Sequence, residues 1–274
     1  MSNFQAFILG LVQGLAEFLP ISSSGHTTLL QMLFGIEEAP ELLNVFLHLG
    51  TLLVLLAVYR KRIWKMIRHP FKSELKWLIL ATLPTVAAAL TFKDKLEAMF
   101  GDIKYLGYCF LFTSFILLVG EGVNRLRAKK HKPVRWYDAL LMGCMQVLAI
   151  VPGVSRLGCT ASGGMISGLS RRRAVDFSFL MAIPAVLGSA VLGAKDIRDM
   201  AEAANVSFGT QFGELVTQLG GAAPLLIGMG TAALAGFLAV RLMLYIVRHI
   251  GLRWFAVYTF LLGAFLIARQ VLTA

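Results

Sequence analysis

Gln13, Glu17, Ser22, Ser23, Ser24, Gly25 and His26 fall within 14 residues of one apolar stretch, and Arg156 stands in a second. Ionisable groups at membrane depth are costly unless paired or hydrated, so each points to chemistry by default. Glu17 offers a carboxylate that could serve as a base or as a cation ligand. A carboxyl at a helix end near the interface is its plainer reading. Ser22–Ser23–Ser24–Gly25 precedes a helix start, where free backbone N–H groups and the helix dipole favour an anion. Simple N-capping would need only one serine. His26, just past this turn, could carry a proton, attack phosphorus or donate to a phosphate. Arg156 suits a phosphate because its rigid fork binds two oxygens and it stays charged; a snorkelling interface arginine is the alternative. Ser155, Gly158 and Thr160 could add donors. Together these types make an anion site with a candidate base and nucleophile, suited to a lipid phosphate.

The elements that must position these residues come as a pair. Shifting the chain by 133 positions lays Ala6–Gly35 over Ala139–Gly168 without a gap, with ten of 30 positions identical, among them Gln13/Gln146, Ser22/Ser155, Gly25/Gly158 and Thr27/Thr160. Each copy interrupts an apolar run with Pro, Gly and Ser. Broken segments at matching places in two halves mark membrane binding sites. The expected fold is an all-α polytopic membrane protein, one integral membrane domain over 1–274. Its inverted repeat halves are 1–132 and 133–274, each with one re-entrant helix hairpin and three transmembrane helices.

Loop charge sets the expected topology. Phe4–Phe18 is short for a span, and Thr27–Phe34 reads as the returning arm of the first hairpin. Leu42–Tyr59, Trp77–Phe92 and Tyr105–Val123 read as spans. Asp138–Gly168 contains the second hairpin, and Ala174–Ala194, Gly221–Ile246 and Trp254–Leu272 complete the set. The basic runs Arg60–Lys76 and Arg125–Arg135, the triplet Arg171–Arg173, and Arg248 with Arg253 place those segments on the cytoplasmic side. Lys93–Lys104 and Lys195–Gln218 become outer loops. Three crossings per half invert the second copy, so the two hairpin tips meet near the midplane.

A mean hydropathy of +0.73, with 57% hydrophobic and 15% charged residues, lies far from the ~25% charge of soluble domains. The net charge of +11 would suggest nucleic acid, but the basic residues cluster in short loops between apolar runs, so no nucleic-acid partner is expected. Met1–Leu19 lacks a basic leader and a small-residue cleavage site and does not read as a removable signal peptide. Cys109, Cys144 and Cys159 form no CxxC and read as packing residues. His48, in the span after the first hairpin, reads as a packing residue, with lining of the pocket as the alternative.

Two motifs are similar to a known family. QGLAEFLPISSSGH (Gln13–His26) and PGVSRLGCT (Pro152–Thr160), with Gly163–Gly164 and Phe177–Leu180, resemble the bacterial undecaprenyl-diphosphatase of the bacitracin-resistance type. The likeness covers essentially the whole chain. It implies an enzyme that removes one phosphate from undecaprenyl diphosphate and so regenerates the lipid carrier for peptidoglycan. It also implies a bacterial plasma (inner) membrane location, a site open to the periplasmic or outer face, and a divalent cation, Mg2+ or Ca2+. By position, Glu17 would be the essential carboxylate, as base or metal ligand, and Ser23 the proposed nucleophile. His26 would be an acid–base group or a competing nucleophile, and Arg156 the diphosphate clamp. Gln13, Ser22, Ser24, Gly25, Ser155 and Thr160 would contact substrate. Gln13 stands where some members carry a second Glu, and Leu157 and Cys159 replace the Ser and Ala of SRSGAT.

SSSGH and Ser155–Arg156 are also similar to pieces of the lipid phosphatases that form a phosphohistidine. Those enzymes require a His six residues after the Arg, where this chain has Ser162. No G-x-S-x-G elbow is present. A transporter or flippase of a polyprenyl phosphate, built on the same repeat, is the alternative from another class. A non-catalytic lipid-binding protein is a third. A homodimer is the assembly considered.

Overall fold

The computed structural model describes residues 1–36, 41–91, 103–127 and 132–273. Among them are eleven α-helices and no strand. α1 (Asn3–Glu17) and α2 (Ser23–Leu33) form the first hairpin, followed by α3 (Glu41–Arg68) and α4 (Leu75–Thr91). A 3-10 turn at Ile103–Tyr105 leads into α5 (Leu106–Arg127). α6 (Trp136–Leu148) and α7 (Arg156–Ile166) form the second hairpin. α8 (Arg171–Ala203), α9 (Phe208–Gln218), α10 (Ala222–His249) and α11 (Arg253–Thr273) complete the chain.

Five helices, α3, α5, α8, α10 and α11, are long and apolar enough to cross a membrane. The chain is a multi-pass membrane protein. The sixth expected span corresponds to α4, an apolar helix of 17 residues whose described part ends at Thr91. At ~1.5 Å per residue those 17 residues rise about 25 Å, just short of the ~30 Å hydrocarbon layer. Most of Lys93–Lys104, together with Lys129, Lys130 and His131, lies outside the described residues.

Two expected boundaries are corrected. The arm expected over Thr27–Phe34 begins four residues earlier, because Ser22 accepts from Gly25 N (3.2 Å) and caps a helix that starts at Ser23. The expected outer loop Lys195–Gln218 is helical. α8 runs on to Ala203, and Ser207 then caps α9, whose Phe212, Leu215 and Val216 pack beneath it.

The two hairpins close alike. Ser155 caps α7 by accepting from Gly158 N (3.0 Å), as Ser22 does for α2. Each second arm then ends at a glycine in the left-handed region, Gly35 (φ 68°) and Gly168 (φ 94°). Beyond each, the next N–H returns five residues back, Ile36 to Gln31 O (2.9 Å) and Leu169 to Gly164 O (3.0 Å). This is the closure a C-terminal glycine permits.

The hairpins cross-pack between halves. α1 lies on α10, while α6 and α7 lie on α4 and α5; the like pairs α3–α8 and α5–α11 also pack together. Close approach depends on small residues. A Cβ at Gly10 would meet the Gly228 carbonyl, one at Gly14 the Ala232 carbonyl, and one at Gly143 the Ala81 carbonyl. Small residues four apart are the membrane device for bringing backbones together. The largest buried cluster gathers Phe18, Phe177, Phe179, Met142 and Leu169 behind the hairpins.

Candidate active site

The break after α1 spans Phe18–Ser22, and the break after α6 spans Ala149–Ser155. Burial of Phe18 against Phe179 (ring centroids 5.7 Å apart) anchors the first turn. The second turn reaches it directly, as Gly153 N donates to Ser24 Oγ (3.2 Å). A Cβ at Gly25 would lie 3.3 Å from the Gly153 Cα and 2.7 Å from the Phe110 ring, so both glycines let the turns touch.

Glu17 ends α1 and is 7% exposed. Both its oxygens are engaged. Arg156 Nη2 donates to Oε1 (2.6 Å), and Ser23 Oγ donates to Oε2 (2.5 Å). Gln13 Nε2, one turn back on α1, donates to the same Oε2 (3.1 Å). The half-buried guanidinium compensates a carboxylate that would otherwise be severely penalised by desolvation. Arg156 comes from the second copy and the other three residues from the first, so the acid–hydroxyl–guanidinium cluster exists only where the hairpins meet.

His26 occupies a separate part of the cleft. Its Nδ1 donates to Ser22 O (2.7 Å), which leaves Nε2 to accept from Tyr258 O–H (2.7 Å) in the neutral ring. The ring stacks on Tyr258 (5.7 Å, 16°) and meets the edge of Phe110 (5.3 Å, 81°). Among the described residues no hydrogen bond joins His26 to Glu17. Ser22, Ser24 and Gly25 line the first turn, with Ser22 Oγ and Ser24 Oγ 3.3 Å apart. Ser155 is committed to capping α7 and receives its own support from Thr113, whose Oγ1 accepts Ser155 N (3.1 Å). The buried Thr160 hydroxyl donates back to Arg156 O (2.8 Å) and holds the first turn of α7.

Two residues at the site escaped the motif reading. His48 of α3, read as packing with pocket lining as the alternative, has its Nδ1 on Asn44 O (2.8 Å) and places Nε2 3.8 Å from Glu17 Oε2, which favours the alternative. Tyr258 of α11 lies 232 residues from the histidine it contacts. The departures at Leu157 and Cys159 are both buried, packed into the second hairpin.

A resident metal finds little here. Glu17 is the one carboxylate of the cluster, and among the described residues no group of three His, Cys, Asp or Glu could hold an ion. Such a donor set fits Mg2+ or Ca2+ only when the ion brings phosphate oxygens with it, a common arrangement for Mg2+.

Fold and site together define a multi-pass helical membrane protein whose acid, hydroxyl and guanidinium are gathered between two hairpins. The chain belongs to the bacitracin resistance protein BacA family, whose model matches residues 6–265. It is 40% identical over 271 residues to the undecaprenyl-diphosphatase of Carboxydothermus hydrogenoformans, covering 98% of each chain. The undecaprenyl-diphosphatase of Halothermothrix orenii is 35% identical over 273 residues, covering 97% of this chain and 98% of its own. Undecaprenyl-diphosphatase 4 of Bacillus thuringiensis subsp. konkukian is 35% identical over 270 residues, again 98% of each.

Proposed function

We propose that this chain hydrolyses undecaprenyl diphosphate to undecaprenyl phosphate and inorganic phosphate, with Ser23 as nucleophile. The observation that carries the reading is the Ser23 hydroxyl on Glu17 Oε2, with Arg156 on the other oxygen of the same carboxylate. The names borne by relatives aligned over nearly the whole chain support the substrate.

Phosphoryl transfer asks a protein chiefly for positioning and neutralisation of charge. Arg156 exchanges Glu17 for two oxygens of the incoming diphosphate, and the released carboxylate keeps its bond to Ser23. Ser23 Oγ attacks the terminal phosphorus as its proton passes to Glu17. The bond from that phosphorus to the bridging oxygen breaks, and undecaprenyl phosphate departs. Water then attacks the phosphoserine, restoring the serine proton and releasing inorganic phosphate. Splitting hydrolysis into two displacements is the general advantage of a covalent nucleophile. Ser24 and the first N–H groups of α2 offer donors to the phosphate, Gly25 lets it approach, and Gln13 holds the carboxylate in register. Glu17 is the residue that would hold a divalent cation, Mg2+ or Ca2+, and the ion would supply further neutralisation of the diphosphate charge.

The setting is the bacterial plasma membrane, with the cleft toward the outer or periplasmic face. That orientation rests on the basic stretches Arg60–Lys76 and Arg171–Arg173, which favour the cytoplasm. Moving a polyprenyl phosphate across the bilayer calls for no serine bonded to a carboxylate, so hydrolysis is preferred to a flippase. Trapping a phosphorylated peptide that contains Ser23 is the test. Phosphate release undiminished in Ser23→Ala would remove the nucleophile from this scheme.

A further inference from the structure

His48 of α3 turns toward the charged cluster a nitrogen that no group of the cluster satisfies. Its Nδ1 lies 2.8 Å from Asn44 O. A carbonyl only accepts, so Nδ1 carries the hydrogen and the neutral ring presents a lone pair at Nε2. That lone pair faces Glu17 Oε2 across 3.8 Å. Both atoms are acceptors and the gap is too wide for a hydrogen bond, so neither satisfies the other. Among the described residues no donor reaches Nε2. The geometry there calls for a small donor, and water is one.

Exposure shows which residue such a water can reach. The His48 side chain is 30% exposed and that of Glu17 only 6%. The neighbouring candidates are committed elsewhere. Gln13 is buried and donates to Glu17, and His26 Nε2 receives the Tyr258 hydroxyl. The imidazole itself is held on both sides. Gln31 Nε2 of α2 donates to Asn44 Oδ1 (3.4 Å) one turn before His48, and Thr51 Oγ1 donates to His48 O (2.8 Å). Two residues on, a Cβ at Gly50 would lie 2.4 Å from Met229 O, so α3 is seated tightly on α10 at this height. At the 133-residue offset the second copy carries Met181, so the repeat itself needs no polar side chain at this place.

Ser23 Oγ and His48 Nε2 flank one carboxylate oxygen, at 2.5 Å and 3.8 Å. We propose that His48 seats and aims the water that hydrolyses the phosphoserine. The proposal rests on the two-step hydrolysis above and names the residue that serves its second step. The water donates one hydrogen bond to Nε2 and meets the phosphorus on Ser23 at the ~3–3.5 Å approach of reacting atoms. Its oxygen forms the new bond to phosphorus as the bond from phosphorus to Ser23 Oγ breaks. Glu17 returns to that Oγ the proton it took in the first step. Both hydrogens of the water leave with the product, as dihydrogen phosphate, and His48 holds the same protons before and after. Orienting the attacking water is a recurring part of phosphoryl-transfer sites.

The test separates the two displacements, using the full chain in detergent and undecaprenyl diphosphate radiolabelled on its terminal phosphate. His48→Met installs the side chain of the second copy. It should lower kcat and KM together by about 30-fold, while kcat/KM, which reports the first displacement, stays within about threefold of native. Acid-quenched samples should then carry the label on Ser23 in most of the protein. His48→Gln, whose amide oxygen can accept from the same water, should bring kcat back to within about tenfold of native. The variants are compared at unchanged melting temperature, and His48→Ala carries the same expectation if His48→Met does not fold. A loss of kcat/KM equal to the loss of kcat overturns the proposal, as does native kcat in His48→Met or no recovery in His48→Gln. Phosphate release missing from the native chain removes the hydrolase reading and this proposal with it. Native phosphoserine that His48→Met does not prolong removes the assignment of His48 alone.

Discussion

Glu17 and Arg156 form a buried pair whose halves come from different copies of the repeat, 139 residues apart. Removing one partner of such a pair strands the other. Arg156→Ala should therefore destabilise the protein by ~3–5 kcal/mol. Glu17→Gln combined with Arg156→Met should recover most of that loss, as followed by thermal melting in detergent. Destabilisation by the double variant equal to the sum of the singles would show that the two residues do not interact. At His26 the expectation is smaller. Tyr258→Phe deletes one hydrogen bond to Nε2 and should cost ~0.5–1.5 kcal/mol of stability in thermal melting, with phosphate release retained. Glu17, Ser23 and Arg156 were legible in the sequence because an ionisable group or serine run inside an apolar stretch has few inexpensive reasons to be there. Tyr258 was not, and His48 was only the less favoured of two readings, because each sits singly on a long apolar helix. Only the packing of α3 and α11 against the first hairpin brings them to it.

The hairpins depend on tight helix contacts, and the glycines disclose which contacts are tight. Gly14→Val would drive a side chain into the Ala232 carbonyl on α10, where backbone must move. The expected outcome is a sharply reduced yield of folded protein and a lower melting temperature. Gly230→Ala on the same α10 meets nothing within 4 Å. It should be neutral or stabilising by up to ~1 kcal/mol, since Gly is the poorer helix former. Equal damage from both substitutions would contradict close packing as the reason for Gly14. The paired helices were readable from the 133-residue offset, but the start of the second arm was misplaced because the capping serine was read as part of an anion site. α9 was not readable, because its mixed charges resembled a loop. The spacing of Phe208, Phe212, Leu215 and Val216 at helical intervals, just after Ser207, was the signal available.

On the scale of the whole molecule, polar clamps gather at one end. Arg62 bonds both Glu74 and Asp176, Arg173 bonds Glu74, and Tyr59 donates to Asp176 (2.9 Å). The cluster ties α3, α4 and α8 together beside the most basic stretch. In the proposed orientation, which follows the charge bias, this end faces the cytoplasm. In a chain without its native cysteines, a membrane-impermeant maleimide should label Val206→Cys on intact cells. It should label Phe71→Cys only after the membrane is breached. Labelling of Phe71→Cys from outside would reverse the orientation and, with it, the face on which the cleft opens. Loop charge alone predicts alternate crossings, and this labelling is their test. The cross-packing of each hairpin on the other half was not readable, because contacts as distant in sequence as Gly143 with Ala81 and Gly10 with Gly228 leave no periodic trace in the chain.

The most direct measurement is phosphate release from undecaprenyl diphosphate by purified protein, compared among native, Ser23→Ala, Glu17→Gln and Arg156→Ala chains. The hydroxyl–carboxylate–guanidinium cluster predicts that each substitution lowers kcat by at least ~100-fold, with only the native chain accumulating phosphoserine. Full activity in the folded Ser23→Ala protein, or phosphate recovered on His26, would contradict it.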